Sequence, residues 1–363
     1  MRVLISSPDL DVGKNVSGIS SVVRAIMKGM PAQGIELLHL KEGRSDRDRF
    51  GIVGYLNLLW NLITFPFVRY SRKISLFHQN VPFTTKGIIR EYLFSCLAKW
   101  CQLPVLVHVH GGIYIDEAPP RWLYKLTCSI FDNASKILVL NDYEKTQVTQ
   151  LYGKKTEILE NVIDTDYYSF KDDVGVTKQP VLLFLGRIHE EKGLNEIIDA
   201  FSQLYPTYPF TFIMCGFGTY QARFQARFQA VLGNDFQFRG VVSGDSKLDA
   251  IKSADYFLLP SYTEGLPIAL LETMSCGVIP VVSDHDSMRS MITDFENGIM
   301  VQRKSASHLV EQLKKAFSLD KEKRQAMAKN ARQTVVSNYS METYNKRLAA
   351  KYKDVLASYN RKE

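Results

Sequence analysis

The sequence contains no Cys-x-x-Cys pair, and its five cysteines (Cys96, Cys101, Cys128, Cys215, Cys276) are few for 363 residues. An odd set placed mostly inside apolar runs excludes a disulfide framework and reads as reduced thiols buried like small apolar residues. No Gly-x-Gly-x-x-Gly follows the first strand candidate of either half, which argues against a nicotinamide dinucleotide site. Basic residues form no stripe interleaved with aromatics, so an isoelectric point near 9.0 does not mark a nucleic-acid binder. The opening "MRVLISSPDL" has one positive charge, a short apolar run and no small-residue cleavage site. It is expected to be a first β-strand, with no export signal.

Long uncharged runs are scarce too. Gly51 to Val68, "GIVGYLNLLWNLITFPFV", is 18 residues long and is followed by "RYSRK", which puts it at the lower edge of bilayer-spanning length. Asn57, Asn61, Thr64 and Pro66 count against spanning. Tyr55, Leu58, Leu59, Leu62 and Ile63 share one helical stripe, which fits either a helix at a membrane surface or a core helix.

What is present is ample apolar material: 45% of the 363 residues are hydrophobic, enough for two full cores at roughly 100 to 200 residues per domain. The net charge is +7, and residues 1–165 carry 20 Lys and Arg against 15 Asp and Glu, so the excess is mainly N-terminal. Short β-branched runs alternate with helical patterns along the whole chain, the signature of parallel sheets covered on both faces. N-terminal strands are predicted at 3–6, 35–40, 74–78, 105–110 and 137–140, with Ile19, Val22, Val23, Ile26 and Met30 at helical spacing. The polar run "KDDVGVTKQP" at 171–180 reads as a linker. A second α/β series follows, with strands at 181–185, 210–215, 236–239, 256–259 and 278–283. Phe224 and Phe228 of "QARFQARFQA" should share a buried helix face.

The fold class is therefore α/β. Two Rossmann-like domains are expected to face each other across a cleft, 1–170 and 171–340, with a C-terminal helix at about 341–363 returning to the first. In open α/β sheets, ligands bind beyond the carboxyl ends of the strands.

The chemistry concentrates at those ends in the second half. In "LLPSYTEGLPIALLETMSC", a buried strand gives way to a loop with Glu264 and Gly265, and Pro267 stands where a helix begins. Free N–H groups and the helix dipole make an anion site there. Glu264 lies before the helix and Glu272 lies inside it, two carboxylates suited to hydroxyls on either side of a bound phosphate. "LLFLGRIHEEKG" adds Gly186, Arg187 and Lys192, cations suited to a diphosphate. "FIMCGFGT" adds Gly216 and Gly218, which permit close backbone approach.

Taken in order, "GRIHEEKG", "CGFG", "RGVVSGDSKLDAIKSADYFLLPS", "EGLPIALLE" and "SCGVIPVVSD" closely resemble the retaining GT-B glycosyltransferases of family 4, the glycosyl transferases group 1. The resemblance covers nearly the whole chain and is strongest from 181 to 302. It implies a C-terminal domain binding a nucleotide-sugar donor (a UDP- or GDP-sugar), an N-terminal domain binding the acceptor, and no cofactor or metal. Arg187 and Lys192 match the cations on the donor diphosphate. Glu264 matches the contact to the transferred sugar, and Glu272 matches the ribose-holding carboxylate. Gly265, Leu266 and Pro267 match the adjacent turn, while Val241 falls among the donor-binding positions. In the N-terminal half, "NVSGISSVVRAI" resembles the family's first glycine loop at Gly18, although Ser17 stands where many relatives have a second glycine. "VLVHVHGG" resembles the strand end bearing the active-site histidine, here His110; His108 faces the same way but stops short of the end. "ENVIDTDYY" resembles an Asn-Gly-Val-Asp segment with Val162 in place of the glycine. The catalytic set implied is His110, Glu264, Arg187 and Lys192.

Relatives of this form mostly build bacterial cell-surface polysaccharides such as exopolysaccharide, capsule or O-antigen, or lipid-linked glycans. The resemblance thus implies a glycan or lipid-linked acceptor and a cytoplasmic enzyme in peripheral contact with the anionic inner face of the membrane. Arg69, Arg72, Lys73, Lys86 and Arg90 are expected on that face. Two rivals stay open: a sugar-nucleotide epimerase sharing the architecture, and a metal-dependent GT-A transferase prompted by Asp-x-Asp at 9–11, 46–48, 164–166 and 284–286.

Overall fold

The computed structural model describes the chain except residues 13, 14, 16, 43–51, 172–178, 206 and 362–363. Most of the expected linker, Val16 of the first glycine loop, Gly51 and the Asp-x-Asp at 46–48 lie outside the described residues. The chain forms two compact units, Met1–Val162 with Met341–Glu363, and Ile163–Ser340.

The first unit holds strands β1 (Arg2–Ser7), β2 (Glu36–Lys41), β3 (Leu76–Val81), β4 (Val105–Val109), β5 (Lys136–Val139) and β6 (Glu157–Ile158). Their order is β2-β1-β3-β4-β5-β6, parallel throughout. The second unit holds β7 (Val181–Leu185), β8 (Thr211–Cys215), β9 (Phe236–Gly240), β10 (Tyr256–Leu259), β11 (Ile279–Ser283) and β12 (Ile299–Val301), ordered β12-β11-β10-β7-β8-β9. These strands are parallel too. Each unit is a Rossmann-like domain.

Parallel strands buried on both faces need continuous apolar side chains. β7 and β10 meet that rule, and their observed limits equal the predicted ones. β3 departs from it, running to Val81 through His78, Gln79 and Asn80, all buried. Those polar groups are tolerated because they have partners, for example Gln79 Nε2 donating to the Glu91 carbonyl at 2.7 Å. β6 and β12, of two and three residues, are too short to show a period in the sequence.

The boundary between units falls earlier than the predicted 170/171. Ile163 donates its N–H to the Tyr339 carbonyl (3.1 Å) and Lys171 to that of Cys276 (3.1 Å), while Lys171 Nζ donates to Ala254 O (2.6 Å). These bonds bind 163–171 to the second unit. The C-terminal helix Met341–Asn360 belongs to the first, where Tyr344, Leu348, Tyr352 and Val355 are buried. Their i, i+4, i+8, i+11 spacing is a single helical stripe.

The helix Ile52–Ser71 corrects the predicted stripe. Leu58, Leu62, Phe65 and Val68 pack on the core, while Tyr55, Leu59 and Ile63 face outward with Leu56, Trp60, Phe67 and Tyr70. At about 100° per residue, two neighbouring apolar faces overlapped in the sequence pattern. No helix among the described residues is long and apolar enough to cross a membrane. Arg90 is a second correction: its guanidinium lies 2.6 Å from Glu91 and 3.4 Å from Glu42, two buried carboxylates. It neutralises the interior instead of facing outward. Burial, then the neighbouring Glu91, pushes the Glu42 carboxyl well above its usual range.

Cys101, Cys215 and Cys276 are buried, and the five cysteines are free. Phe224 and Phe228 are both buried, as expected. The second core is aromatic, with Phe201 at 4.6 Å from Phe210 and 5.0 Å from Phe212 between ring centroids. Phe201→Ala should cost about 3 to 5 kcal/mol, read as a lower denaturation midpoint in urea. A loss under about 1 kcal/mol would show that the core refills.

Candidate functional site

In the second sheet the strand order reverses between β10 and β7, and such a switch point opens a crevice at the carboxyl ends. The loop after β7 carries Gly186, Arg187 and Lys192; the loop after β10 carries Glu264, Gly265, Leu266 and Pro267. Gly216 and Gly218 follow β8, and Val241 follows β9, its side chain exposed.

These loops touch backbone to backbone. At Gly193, with φ +72°, a Cβ would lie 2.2 Å from the Pro260 carbonyl oxygen; at Gly216, with φ +139°, one would lie 1.8 Å from that of Gly186. Any side chain would force the loops apart. Hydrogen bonds then fix them: Gly186 N–H to Cys215 O (3.1 Å), Ile188 N–H to Phe217 O (2.8 Å), and Tyr262 N–H to Glu191 O (2.8 Å). Ser283 Oγ donates to Ser261 O (2.5 Å) and Ser287 Oγ to Glu264 O (2.8 Å). Helix Ile268–Ser275 starts at Pro267 with no side-chain cap, which leaves first-turn N–H groups for an anion.

Both carboxylates meet a lysine. Lys192 Nζ is 2.6 Å from Glu264 Oε1. Glu272 is only 1% exposed, so it is no solvated helix residue. Lys247 Nζ lies 2.7 Å from its Oε1 and 2.5 Å from its Oε2, and the Tyr168 hydroxyl donates to Oε1 at 2.8 Å. Arg187, by contrast, is exposed, and no carboxylate pairs with it among the described residues. Among the described residues, the candidate site therefore brings together one uncommitted guanidinium, two lysine–carboxylate pairs and an uncapped helix start.

Sequence reasoning missed Lys247, Tyr168, Ser287 and His285, whose Nδ1 lies 2.9 Å from Ser287 Oγ. Lys247 and Tyr168 stand 25 and 104 residues from Glu272, so no local pattern marks them.

In the first unit the strand order reverses between β1 and β3. Ser17 caps the helix Gly18–Gly29 by accepting the Ser20 N–H, which explains why a serine suits that position, and Gly18 is exposed at the first turn. Val162, likewise, has no positive φ, so the position does not require a glycine. Beyond β4, His110 Nε2 lies 2.7 Å from Asn80 Oδ1, and Asn80 Nδ2 donates to Ser6 O at 2.6 Å. An amide oxygen only accepts, so His110 donates from Nε2 and its Nδ1 keeps the lone pair. His108 is instead fully buried against Leu159 O (3.1 Å). Glu144 accepts the Leu140 N–H (2.9 Å) near Gly111, and burial pushes its carboxyl up to about 7.

The rings of His78, His108 and His110 form a row, 5.6 Å and 4.2 Å between centroids. Burial holds all three below the ordinary imidazole range, His108 down to about 4.

Residues 169–334 match the family described as Glycosyl transferases group 1. The match lies within the second unit, and the chain is a glycosyltransferase. This glycosyltransferase is 26% identical over 281 residues, 70% of its own length and 72% of the relative's, to the N,N'-diacetylbacillosaminyl-diphospho-undecaprenol alpha-1,3-N-acetylgalactosaminyltransferase of Campylobacter jejuni. Its fold matches sucrose-phosphate synthase from Thermosynechococcus elongatus with a TM-score of 0.83, at 16% identity, over 98% of this chain and 99% of that one. It also matches HepE of Anabaena in complex with UDP-glucose, with a TM-score of 0.75 at 16% identity over 98% and 100% of the two chains.

The histidine row of the glycosyltransferase predicts an acid-side loss of stability. Unfolded imidazoles titrate near 6.5 and the folded ones lower, so the unfolded chain binds the extra protons. The contribution is intact above about pH 6.5 and lost as pH falls toward 4, at about 1.4 kcal/mol per histidine per pH unit. Melting temperatures between pH 7 and 5 should fall, and fall less steeply in His108→Gln. An equal slope in both proteins would show that His108 takes no part.

Proposed function

We propose that this enzyme is a retaining transferase that moves a sugar from a UDP- or GDP-sugar to a glycan or lipid-linked acceptor in bacterial surface-polysaccharide assembly. The observation that carries the reading is the unpaired Arg187 beside the Lys192–Glu264 pair at a sheet switch point, next to an uncapped helix start. On donor binding, Arg187 and Lys192 would take the diphosphate, and Glu264, released from Lys192, would accept hydroxyls of the transferred sugar. Glu272 would accept those of the ribose. Gly186, Gly216, Gly218, Val241, Gly265, Leu266 and Pro267 would bring backbone close to the donor, with Gly18 doing the same from the first unit.

In this mechanism the bond between the anomeric carbon and the diphosphate oxygen breaks, and an acceptor oxygen bonds the same face of that carbon. The acceptor proton passes to the leaving phosphate, so no protein nucleophile is required. The protein contributes positioning and countercharge. His110, oriented through Nε2 by Asn80, would contribute on the acceptor-binding side. We propose no metal: Asp284 and Asp286 are drawn to Arg289, and Asp164 caps the N–H groups of Asp166 and Tyr167, which supports the reading against a GT-A transferase. The relative from Campylobacter, named for a diphospho-undecaprenol acceptor, supports the lipid-linked alternative.

Transfer assays over UDP- and GDP-sugars with EDTA present test the reading. Arg187→Ala should lower turnover by a factor on the order of 10² to 10³. An unchanged rate removes Arg187 from the site, activity restored only by manganese favours the GT-A reading, and donor conversion without acceptor favours the epimerase.

We further propose a cytoplasmic location with peripheral contact to an anionic bilayer through helix Ile52–Ser71. Trp60 (66% exposed) and Phe67 (73%) lie on its outer face with Tyr55 and Tyr70, a composition suited to an interface, and Arg72 and Lys73 lie exposed just beyond its end. Neutralising Arg69, Arg72 and Lys73 should abolish cosedimentation with phosphatidylglycerol vesicles. Unchanged binding would return those charges to an ordinary surface role.

A further inference from the structure

At the end of the helix Ile52–Ser71 lies a cavity of about 350 Å³, with Arg69, Lys73, Ser75, Gln102 and Tyr359 among its walls. Ser75 immediately precedes β3 and Pro104, also in the wall, immediately precedes β4, so the cavity sits at the amino ends of these strands. His110 stands beyond the carboxyl end of β4, at the opposite end of the sheet. The cavity is thus separate from the groups assigned above to acceptor binding, and ligand clefts of this size, from about 300 Å³ upward, take small polar molecules.

Two cations line it without a counterion. Among the described residues no carboxylate pairs with Arg69 or Lys73, and Arg69 Nε is a buried donor that meets no acceptor, a condition that favours an incoming anion. Basic residues at a helix end commonly serve its last carbonyls, but here those are taken: Val68 O accepts the Arg72 N–H (3.1 Å), Tyr70 O that of Lys73 (3.3 Å) and Arg69 O that of Ile74 (3.0 Å). Lys73 (φ +52°) and Gln102 (φ +49°) both hold left-handed backbone, a costly conformation for such residues that clusters at ligand sites. The surroundings are aromatic and exposed. Phe67 and Tyr70 neighbour Arg69 on the helix, and Trp100, two residues before Gln102, is 73% exposed. The Arg69 guanidinium lies 5.6 Å from the Tyr70 ring centre, within cation–π reach. Cations among exposed aromatic rings suit the headgroup level of a bilayer better than a freely diffusing ion.

We infer that this cavity binds the phosphodiester headgroup of an anionic phospholipid, with Arg69 and Lys73 on the phosphate and Ser75, Gln102 and Tyr359 on the headgroup's hydroxyls. The inference rests on the membrane reading above and makes it specific: one lipid is seated at the end of the helix, in addition to the attraction of charge along its face. A helix crossing between parallel strands runs antiparallel to them, so Ile52 lies toward the carboxyl ends of the sheet and Ser71 toward the amino ends. Its 20 residues span about 30 Å. A lipid clamped at the Ser71 end therefore fixes how the enzyme lies on the bilayer, with the end of the sheet that carries His110 toward the start of the helix.

The test compares variants that lose the same charge. Cosedimentation of the full-length protein with phosphatidylcholine vesicles containing phosphatidylglycerol is measured for Arg69→Gln, Lys73→Gln and Arg72→Gln; Arg72 adjoins Lys73 but does not line the cavity. Arg72→Gln should weaken binding about 5-fold, the worth of one charge near an anionic surface. Arg69→Gln and Lys73→Gln should each weaken it about 10-fold further, through lost charged hydrogen bonds to phosphate. Lys73 is exposed, so its variant stays informative if Arg69→Gln fails to fold. Soluble glycerophosphoglycerol should displace the unaltered protein from the vesicles better than inorganic phosphate does at equal ionic strength. Equal losses in all three variants overturn the inference and leave membrane contact through charge alone. Displacement by inorganic phosphate that matches or exceeds that by glycerophosphoglycerol overturns the lipid assignment in favour of a free-phosphate site. If the unaltered protein does not bind the vesicles, the membrane reading falls and the inference with it.

Discussion

Contact between bare backbones is the constraint on which the second unit's candidate site depends. The loops after β7, β8 and β10 approach so closely that the carbonyls of Pro260 and Gly186 occupy the space a side chain would need at Gly193 and Gly216. Loops this close leave little room for independent movement, and their peptide groups interlock through main-chain hydrogen bonds. Arg187, Lys192 and Glu264 are therefore carried by a rigid frame although none lies within a strand. Precision at a site normally comes from helices and strands; here glycine extends that rigidity into the connecting segments.

Charge follows the same economy. Cations and carboxylates are matched inside the protein: Lys192 with Glu264, Lys247 with Glu272, and Arg90 with Glu42 and Glu91. A buried pair costs desolvation on both sides, and what it gains depends on geometry. Where the pair is partly accessible, as with Lys192 and Glu264, the same matching holds two groups of the candidate site as a neutral pair. Arg187, exposed in the loop after β7, pairs with no carboxylate among the described residues.

Much of this was legible from residue order, for reasons that differ by element. β7 and β10 appear residue for residue because fully buried parallel strands are written as unbroken apolar runs. β3 was blurred because His78, Gln79 and Asn80 find buried partners that no local pattern announces. The loop residues of the candidate site were readable because strand end, glycine and helix start are neighbours in sequence. Lys247 and Tyr168 were not, because they reach Glu272 only through the folded chain. The helix at 52–71 was misread in its facing because it is apolar on two sides, and a period cannot say which side the core will take.

The path of the chain carries one further consequence. The unit Ile163–Ser340 is continuous in sequence, whereas the other draws its last helix from the final residues. That helix places Tyr352 in the interior with its hydroxyl 2.6 Å from His78 Nδ1. During synthesis the middle of the chain can therefore close on itself first, since domains fold as units. The N-terminal sheet, though made earliest, completes its core last. Until then its uncovered face is open to chaperones, and a truncation that removes the helix Met341–Asn360 takes Tyr344, Leu348, Tyr352 and Val355 from the core of the domain at the opposite end of the sequence.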